Sequence, residues 1–368
     1  MPFTGPLTVG VIGAAGTIAP AIIRDLAESD EVTELRLLDL DAERAAAVAA
    51  EHGQGKASAG AVDARSVAEL AAQLAGVDVL VNTASYRINL EAMRASLTAG
   101  AHYVDLGGLY WMTGRQRELH DAFAQAGLLA LLGVGSSPGK TNLMARHGVD
   151  QLDPGEPIAS IEIAAAGRDP VAATDDRLRP PYSIQTLIDE LTLAPVVLRD
   201  GRPQEVAPLT EAGVVDYGAP IGEAEVIYTL HSELATFGES FNCRAASFQL
   251  SLAPALLARL KDLIGASPEE IAAAQREAAP ASDQTVSVHL IRIRTERGRT
   301  LQVRAQTNPH FGFGGSIVST ATPAAASVRL LARGRITARG ALAPESCIAP
   351  ADMFAELEAR GCRFSLSD

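Results

Sequence analysis

Cysteine, aromatic residues and positive charge are all scarce in this chain of 368 residues. The three cysteines, Cys243, Cys347 and Cys362, are widely spread and fit no pairing or metal motif. That spacing excludes a disulfide framework and a thiolate metal centre, and it suits a reducing, cytoplasmic compartment. His102, His120 and His147 are scattered, so no histidine-based metal site is expected either. Lysine and arginine number 31 against 44 aspartates and glutamates, a net charge of −13. The deficit of positive charge argues against nucleic acid or an anionic membrane as partner. No apolar run reaches the ~18 residues of a membrane span, and no secretory leader is read at the start. What is present describes a folded chain: 47% hydrophobic and 20% charged residues, over a length that suits two domains.

The first chemical signal is Leu7–Leu26, LTVGVIGAAGTIAPAIIRDL, an apolar strand that runs through a glycine turn into a helix. Gly13, Gly16 and Ala19 have the spacing of a dinucleotide-binding fingerprint. The first glycine permits the turn, the second lets the backbone approach a diphosphate, and the small third residue lets the helix pack closely. Gly13, Ala15, Gly16, Thr17 and Ile18 are the expected cofactor-contacting residues, with the diphosphate at the positive end of the helix. The next strand, LRLLDLD, ends in Asp39, 26 residues after Gly13, near the offset of a ribose-binding acid. A carboxylate there accepts from a ribose 2′-hydroxyl and repels a 2′-phosphate. The next residue is Leu40, which favours NAD over NADP, although Arg44 is one turn away. The other reading of Asp39 is a cap for helix Asp41–Ala50.

Strand and helix alternate through residues 7–133. Strands are read at Ala59–Val62, Val77–Asn82, His102–Leu106 and Leu128–Val134, and helices at Ser66–Ala75, Leu90–Ala99 and Arg115–Ala126. This rhythm predicts an α/β fold with a Rossmann-type, doubly wound parallel sheet. After Pro154 the rhythm changes. Ile158–Ala165, Glu225–Leu230 and Ala245–Leu252 are strand candidates, and Thr285–Arg294 with Thr300–Thr307 reads as a long hairpin. A second α+β domain with a mixed or antiparallel sheet follows. Ser267 and Glu270 form a capping box for a helix to about Ala278. The expected domains are 1–134 for the dinucleotide, 135–322 for substrate, and 323–368 as helices returning to the first. Arg115–Leu119 and Arg329–Arg335 are read as solvated helix faces.

Asp63 suits either an adenine contact or the cap of helix Arg65–Ala75. Thr83, Ala84 and Ser85 follow a strand at the carboxyl edge, where small residues leave room for a nucleotide. The segment Gly133–Asn142 imitates a P-loop, but five residues separate Gly133 from Gly139 and Pro138 removes an N–H. A hinge loop lining the nicotinamide pocket, with Gly135 as a contact, is the favoured reading.

GAAGTIAP, VNTASYRINLEAMRASLTAGAHYVDLGG, AGLLALLGVGSSPGKTNLMA, PYSIQTLIDE, LHSELATF and ARGALAPESCIAPADMFAELEARG together resemble the saccharopine dehydrogenase-like family. LHSELATF and YVDLGGLY are more similar to its lysine 6-dehydrogenase branch than to saccharopine reductase. The chain departs from saccharopine reductases at Ser137-Pro138-Gly139, where those enzymes carry Asp-Pro-Gly. The resemblance implies a dinucleotide domain, a substrate domain with the site in the cleft between, and hydride transfer at a carbon–nitrogen bond.

It also implies a place near the nicotinamide for Tyr86, whose phenol can relay a proton or hold an amine. Asp105, at a strand end before Gly107-Gly108, suits amine recognition or loop stabilisation. His231 can accept the proton released as an ammonium becomes an imine, and Glu233 shares its face if the strand continues. Tyr182, Ser183, Thr186 and Glu190 form a helical face suited to the amino-acid end of a substrate. Arg244 is a candidate partner for a carboxylate. The expected function is therefore NAD-dependent hydride transfer at the CH–NH group of an amino acid or opine-like derivative, as amine oxidation or the reverse reductive amination, in a homodimer. A ligating enzyme with NAD as prosthetic group, as in homospermidine synthases, and a non-catalytic nucleotide sensor remain alternatives.

Overall fold

The computed structural model describes residues 5–171 and 177–368. The chain divides into two units, Met1–Leu143 with Thr320–Leu357, and Met144–Ser319 with Glu358–Asp368. The first part runs β1 (Leu7–Ile12), α1 (Ala19–Ala27), β2 (Val32–Asp39), α2 (Ala42–His52), β3 (Ala57–Ala61) and α3 (Val67–Gln73). It continues with β4 (Val79–Asn82), α4 (Asn89–Ala99), β5 (His102–Asp105), α5 (Leu109–Arg117), α6 (His120–Gln125) and β6 (Leu129–Leu131). Next come α7 (Lys140–Val149), β7 (Ile158–Arg168), α8 (Ile184–Thr192), β8 (Val196–Arg199), β9 (Arg202–Glu205), β10 (Glu211–Asp216) and β11 (Glu223–Tyr228). α9 (Leu234–Phe241), β12 (Ala245–Ser251), α10 (Pro254–Asp262), α11 (Pro268–Glu277), β13 (Val286–Thr295) and β14 (Thr300–Thr307) follow. The tail holds α12 (Gly315–Ala332), β15 (Gly340–Leu342), α13 (Pro350–Glu358) and β16 (Cys362–Ser367).

Unit 1 is a seven-stranded sheet in the order β15-β6-β5-β4-β1-β2-β3, parallel throughout. Buried apolar strands need helices on both faces. Leu70 of α3, Met93 of α4 and Phe123 of α6 cover one face in a single apolar cluster. The strand order reverses between β1 and β4, which is where such sheets open a crevice for a ligand. Asp41, not Asp39, caps α2 by accepting from Arg44 N–H at 3.0 Å. Ser66, not Asp63, caps α3. The helix expected over 115–126 is two, because Glu118 and Leu119 close tight turns onto Arg115 and Gln116 before α6 begins.

Unit 2 is a mixed sheet with β10-β11-β12-β7-β13-β14-β16 along its main path and β8–β9 branching from β12. β12 and β7 run parallel, while β13 and β14 form the long hairpin about residues 296–299. α8 packs Ile184, Leu187 and Leu191 against Leu260 of α10 and Ile271 of α11, each such burial stabilising by ~1.5–3 kcal/mol. Ser267 and Glu270 make both bonds of the capping box that starts α11. The tail departs from expectation: β16 pairs antiparallel with β14, so 358–368 belongs to unit 2 rather than to the first domain. The loop after β6, through Leu143, belongs to unit 1.

Arg329 overturns the reading of 329–335 as a solvated face. It is 1% exposed, its guanidinium 2.9 Å from Asp25 and 2.6 Å from Glu356, both within unit 1. Removing one partner of a buried ion pair leaves uncompensated charge, so Arg329→Ala should cost ~3–5 kcal/mol in urea denaturation. Arg335→Ala, at an exposed pair with Asp352, should leave the midpoint in place. Equal effects from both would show that Arg329 carries no special share of the stability.

Candidate active site

The turn after β1 is held from both sides. Gly13 N–H donates to Leu38 O at 3.0 Å and Gly16 N–H to Gly13 O at 2.9 Å. Thr83 Oγ1 donates to the carbonyls of Ile12 and Gly13, so its hydroxyl fixes the turn. Gly13 has φ +72°, and a Cβ there would lie 2.6 Å from Ala84 N. The glycine is thus required by the turn and by the close approach of the β4 exit. Asp39, at the end of β2, accepts from Ala15 N–H at 2.9 Å, while Arg44 donates to Ala15 O at 2.9 Å. One residue is thus clamped through both its amide N–H and its carbonyl. Gly16 and Thr17 are exposed, and no side chain caps α1 after Ile18. Pro20 has no N–H and Ala21 N–H donates to Ile18 O at 3.2 Å, so an anion at the positive end of α1 would approach the backbone at the exposed Gly16–Thr17 turn. The cradle fits a dinucleotide diphosphate.

Beyond β4, Ala84 N–H donates to Asn82, and Ser85 Oγ accepts from Arg87 N–H to start the short turn Tyr86–Ile88. Tyr86 is half-buried, with the Arg87 guanidinium 4.9 Å from its ring centre. Asp105 is buried and fully engaged. Its Oδ1 accepts from Gly107 N–H at 2.9 Å and Gly133 N–H at 2.7 Å, and its Oδ2 from Gln116 at 2.6 Å and Asn89 at 3.3 Å. Burial raises its pKa against these bonds. With its acceptors spent on loops and helices, Asp105 is a positioning residue, which corrects its reading as catalytic. Gly135 closes the loop after β6 through Pro138 O and Lys140 N–H. Lys140 is 1% exposed, unlike a P-loop lysine that must reach phosphates.

Unit 2 brings its own group together. Tyr182 Oη donates to Glu190 Oε2 at 2.6 Å, and Glu190 Oε1 lies 3.8 Å from His231 Nε2. His231 Nδ1 lies 3.5 Å from Glu233 Oε2, and its ring stacks on Phe248 of β12 with centroids 3.4 Å apart. Glu190 is 4%, His231 5% and Glu233 0% exposed. Neither His231 nitrogen completes a hydrogen bond, nor does the buried Thr229 Oγ1. Burial opposes charge on His231, but Glu233 close to Nδ1 and the charges of Glu190 and Glu233 outweigh it, so its pKa is raised. Burial also raises Glu190, with His231 and Tyr182 pulling it down and Glu233 and Asp189 pushing it up. Burial, then the Glu190 charge, holds Tyr182 well above the usual phenol value. Two carboxylates surround one imidazole, and unmade polar contacts remain. Such a group suits a cation that can lose a proton.

Residues 9–131 match the family described as saccharopine dehydrogenase NADP binding domain. Carboxyaminopropylagmatine dehydrogenase of Synechocystis is 25% identical over 268 residues, covering 69% of this chain and 65% of that protein's length. The match thus spans less than two thirds of that curated relative. Apo saccharopine dehydrogenase (L-Glu forming) of Saccharomyces cerevisiae superposes with a TM-score of 0.72 at 16% identity, over 98% of this chain and 100% of that one.

Residues 9–131 resemble a saccharopine dehydrogenase NADP binding domain, and the chain shares the fold of saccharopine dehydrogenase.

The match of residues 9–131 supports a nicotinamide dinucleotide as the cofactor. Within this fold several expected residues fall elsewhere. Arg244 is exposed at the start of β12 and paired with Asp200 at 2.7 Å and Glu296 at 3.6 Å, so its fork is spent on surface ion pairs. Ser183 is exposed and caps α8 by accepting from Thr186 N–H. Asp63 is gripped by the Arg65 guanidinium, which lowers its pKa to about 2. The strand before His231 stops at Tyr228, so Glu233 reaches His231 from the start of α9 instead of along one strand face. Phe248 carried no sequence signal, because an apolar strand residue looks the same whether or not an imidazole rests on it. Among the described residues no group of three metal-ligating side chains forms, and no helix is long and apolar enough to cross a membrane.

Proposed function

We propose that the chain is an NAD-dependent oxidoreductase acting on the CH–NH group of an amino acid or opine-like derivative. The observation that carries this reading is the buried Glu190–His231–Glu233 group, with its excess of negative charge and both ring nitrogens unbonded. Glu190 and Glu233 attract the ammonium form of the substrate, and His231 takes its proton, leaving the nitrogen lone pair free. Phe248 and the burial of the cluster keep water from competing for that proton. Tyr86 in unit 1 is the second candidate for proton handling. When bound, the nicotinamide supplies the hydride acceptor; the protein supplies orientation and proton management. The similar proteins are named dehydrogenases of carboxyaminopropylagmatine and saccharopine, which supports the same class. NADH formation across lysine, ornithine, saccharopine, diaminopimelate and polyamines tests the proposal, and turnover of none of them counts against it.

Asp39 favours NAD, because a carboxylate at the end of β2 accepts from a 2′-hydroxyl and repels a 2′-phosphate. Asp39→Ala should weaken NAD about 10- to 100-fold, the worth of a charge-assisted hydrogen bond, and NADP far less. The mutation also releases Ala15 from its clamp, which would weaken both cofactors equally. Fluorescence titration of both isolates the ribose role in their ratio, and an unchanged ratio removes Asp39 from the ribose.

A further inference from the structure

Ser137 sits in the loop that leaves β6 in unit 1. Val134 N–H still donates to Asp105 O at 2.7 Å, so the chain there extends β6 alongside the end of β5. The loop then folds back, with Gly135 N–H on Pro138 O at 2.7 Å and Lys140 N–H on Gly135 O at 2.9 Å. A Cβ on Gly133 would strike the Pro138 ring and lie 3.7 Å from Gly107 Cα, and one on Gly135 would lie 3.5 Å from Leu106 O. The loop is therefore packed over the carboxyl end of β5. Its polar groups are bonded on either side of Ser137: Ser136 Oγ lies 3.1 Å from Thr320 Oγ1, and Gly139 N–H donates to Asn142 Oδ1 at 2.8 Å. Ser137 Oγ is shielded and makes no hydrogen bond.

An orphaned buried hydroxyl costs about 1–3 kcal/mol and calls for an explanation. Ser137 as a residue is only partly buried, so a change of χ1 to another staggered position is the route by which its hydroxyl would gain a partner. The loop that carries Ser137 lies at the carboxyl edge of the β4-β5-β6 half of the sheet. A dinucleotide lies across this edge with one nucleotide on each half. The Gly13 turn and Asp39 hold the half over β1, β2 and β3 for adenosine, which leaves the nicotinamide nucleotide over β4, β5 and β6. A hydroxyl that both donates and accepts matches a carboxamide that does the same. We infer that the Ser137 hydroxyl turns to hydrogen-bond the carboxamide of the bound nicotinamide and so sets the orientation of the ring. Ser137 is then a positioning residue; the inference rests on the NAD reading above.

The test compares two ligands that share the adenosine diphosphate and one ribose. NADH carries the nicotinamide; ADP-ribose lacks it. Trp111 is the one tryptophan of the chain and is 55% exposed, so energy transfer from it reports NADH binding, and calorimetry reports ADP-ribose. Ser137→Ala should weaken NADH about tenfold, the worth of one hydrogen bond, and leave ADP-ribose unchanged. Ser137→Thr, which keeps the hydroxyl, should restore most of the NADH affinity. The ligand-free alanine variant should melt at or above the wild-type temperature, because it loses a group with no partner. Equal weakening of both ligands, wild-type affinity for NADH, or a lower melting temperature would each overturn the inference. Wild-type protein that binds neither ligand would instead sink the dinucleotide reading, and the inference with it.

Discussion

Valine at position 13 is expected to destabilise unit 1 by about 2–5 kcal/mol and to abolish dinucleotide binding. Two costs add. Gly13 has φ +72°, where a side-chain-bearing residue loses ~1–2 kcal/mol and a β-branched one more. Its Cβ would also lie 2.6 Å from Ala84 N, 2.7 Å from Ala84 Cα and 2.9 Å from Thr83 C. All three are backbone atoms of the neighbouring strand's exit, and they cannot swing aside as a side chain would. Forcing them apart is overpacking, a further ~1–3 kcal/mol. Because this variant can fail to fold, Gly16→Ala separates stability from binding. Gly16 has no positive φ, its Cβ would meet Gly13 O at 3.0 Å and Thr83 O at 3.9 Å, and the residue is exposed. Gly16→Ala should therefore fold, with a methyl group standing where a diphosphate must approach the backbone. Its NADH dissociation constant should rise about 10- to 100-fold, or ~1.4–2.8 kcal/mol. A folded Gly16→Ala protein that binds NADH as tightly as wild type would show that the turn is a packing device only.

What could be read from the sequence was local. The alternation of strands and helices through residue 133 dictates a parallel sheet, and the acid at the end of the second strand lies beside the glycine turn. The Ser267–Glu270 box is local too, since both of its hydrogen bonds close within one helical turn. Partners far apart in the chain were not legible. Asp105 carries the same signal whether its carboxylate faces a ligand or is consumed by Asn89, Gln116, Gly107 and Gly133, and only the fold brings those four together. Arg244 has the right chemistry for a carboxylate but finds Asp200 and Glu296 on the surface first. Arg329 looked solvated because a 3.6-residue period does not reveal that Asp25, some 300 residues earlier, lies buried against it. Glu233 reached His231 although the reason given for it, a shared strand face, did not hold: the turn into α9 supplies the geometry that a strand would have supplied. In each of these cases the missing information is a contact across the fold, which neither periodicity nor spacing encodes.

Replacing His231 by glutamine is expected to lower kcat by ~10²-fold or more on whichever amine the wild type oxidises best, with NADH affinity intact. Hydride can leave carbon only after the substrate nitrogen has lost its proton, so in the proposed reaction the neutral imidazole would be the working form. Glu233 and Glu190 raise the His231 pKa above the ordinary ~6.5, and the wild-type rate should climb through a correspondingly higher pH. Glu233→Gln removes one of the charges responsible and should move that rise to lower pH, a shift that a merely structural glutamate would not produce. The same ionisations set the stability profile. Charged His231 is favoured in the folded state, so its contribution is full below ~6.5 and is lost as pH rises through its raised folded value. Glu190, also raised, removes stability as pH rises above its unfolded value near ~4.3, so both groups tilt stability the same way. Tyr86→Phe should likewise lower kcat while leaving the melting temperature in place. Small parallel losses of kcat and melting temperature in His231→Gln would mark a structural histidine packed on Phe248. Wild-type enzyme that oxidises a 2-hydroxy acid and no amine would reassign the reaction altogether, because an alcohol brings no ammonium for Glu190 and Glu233 to hold.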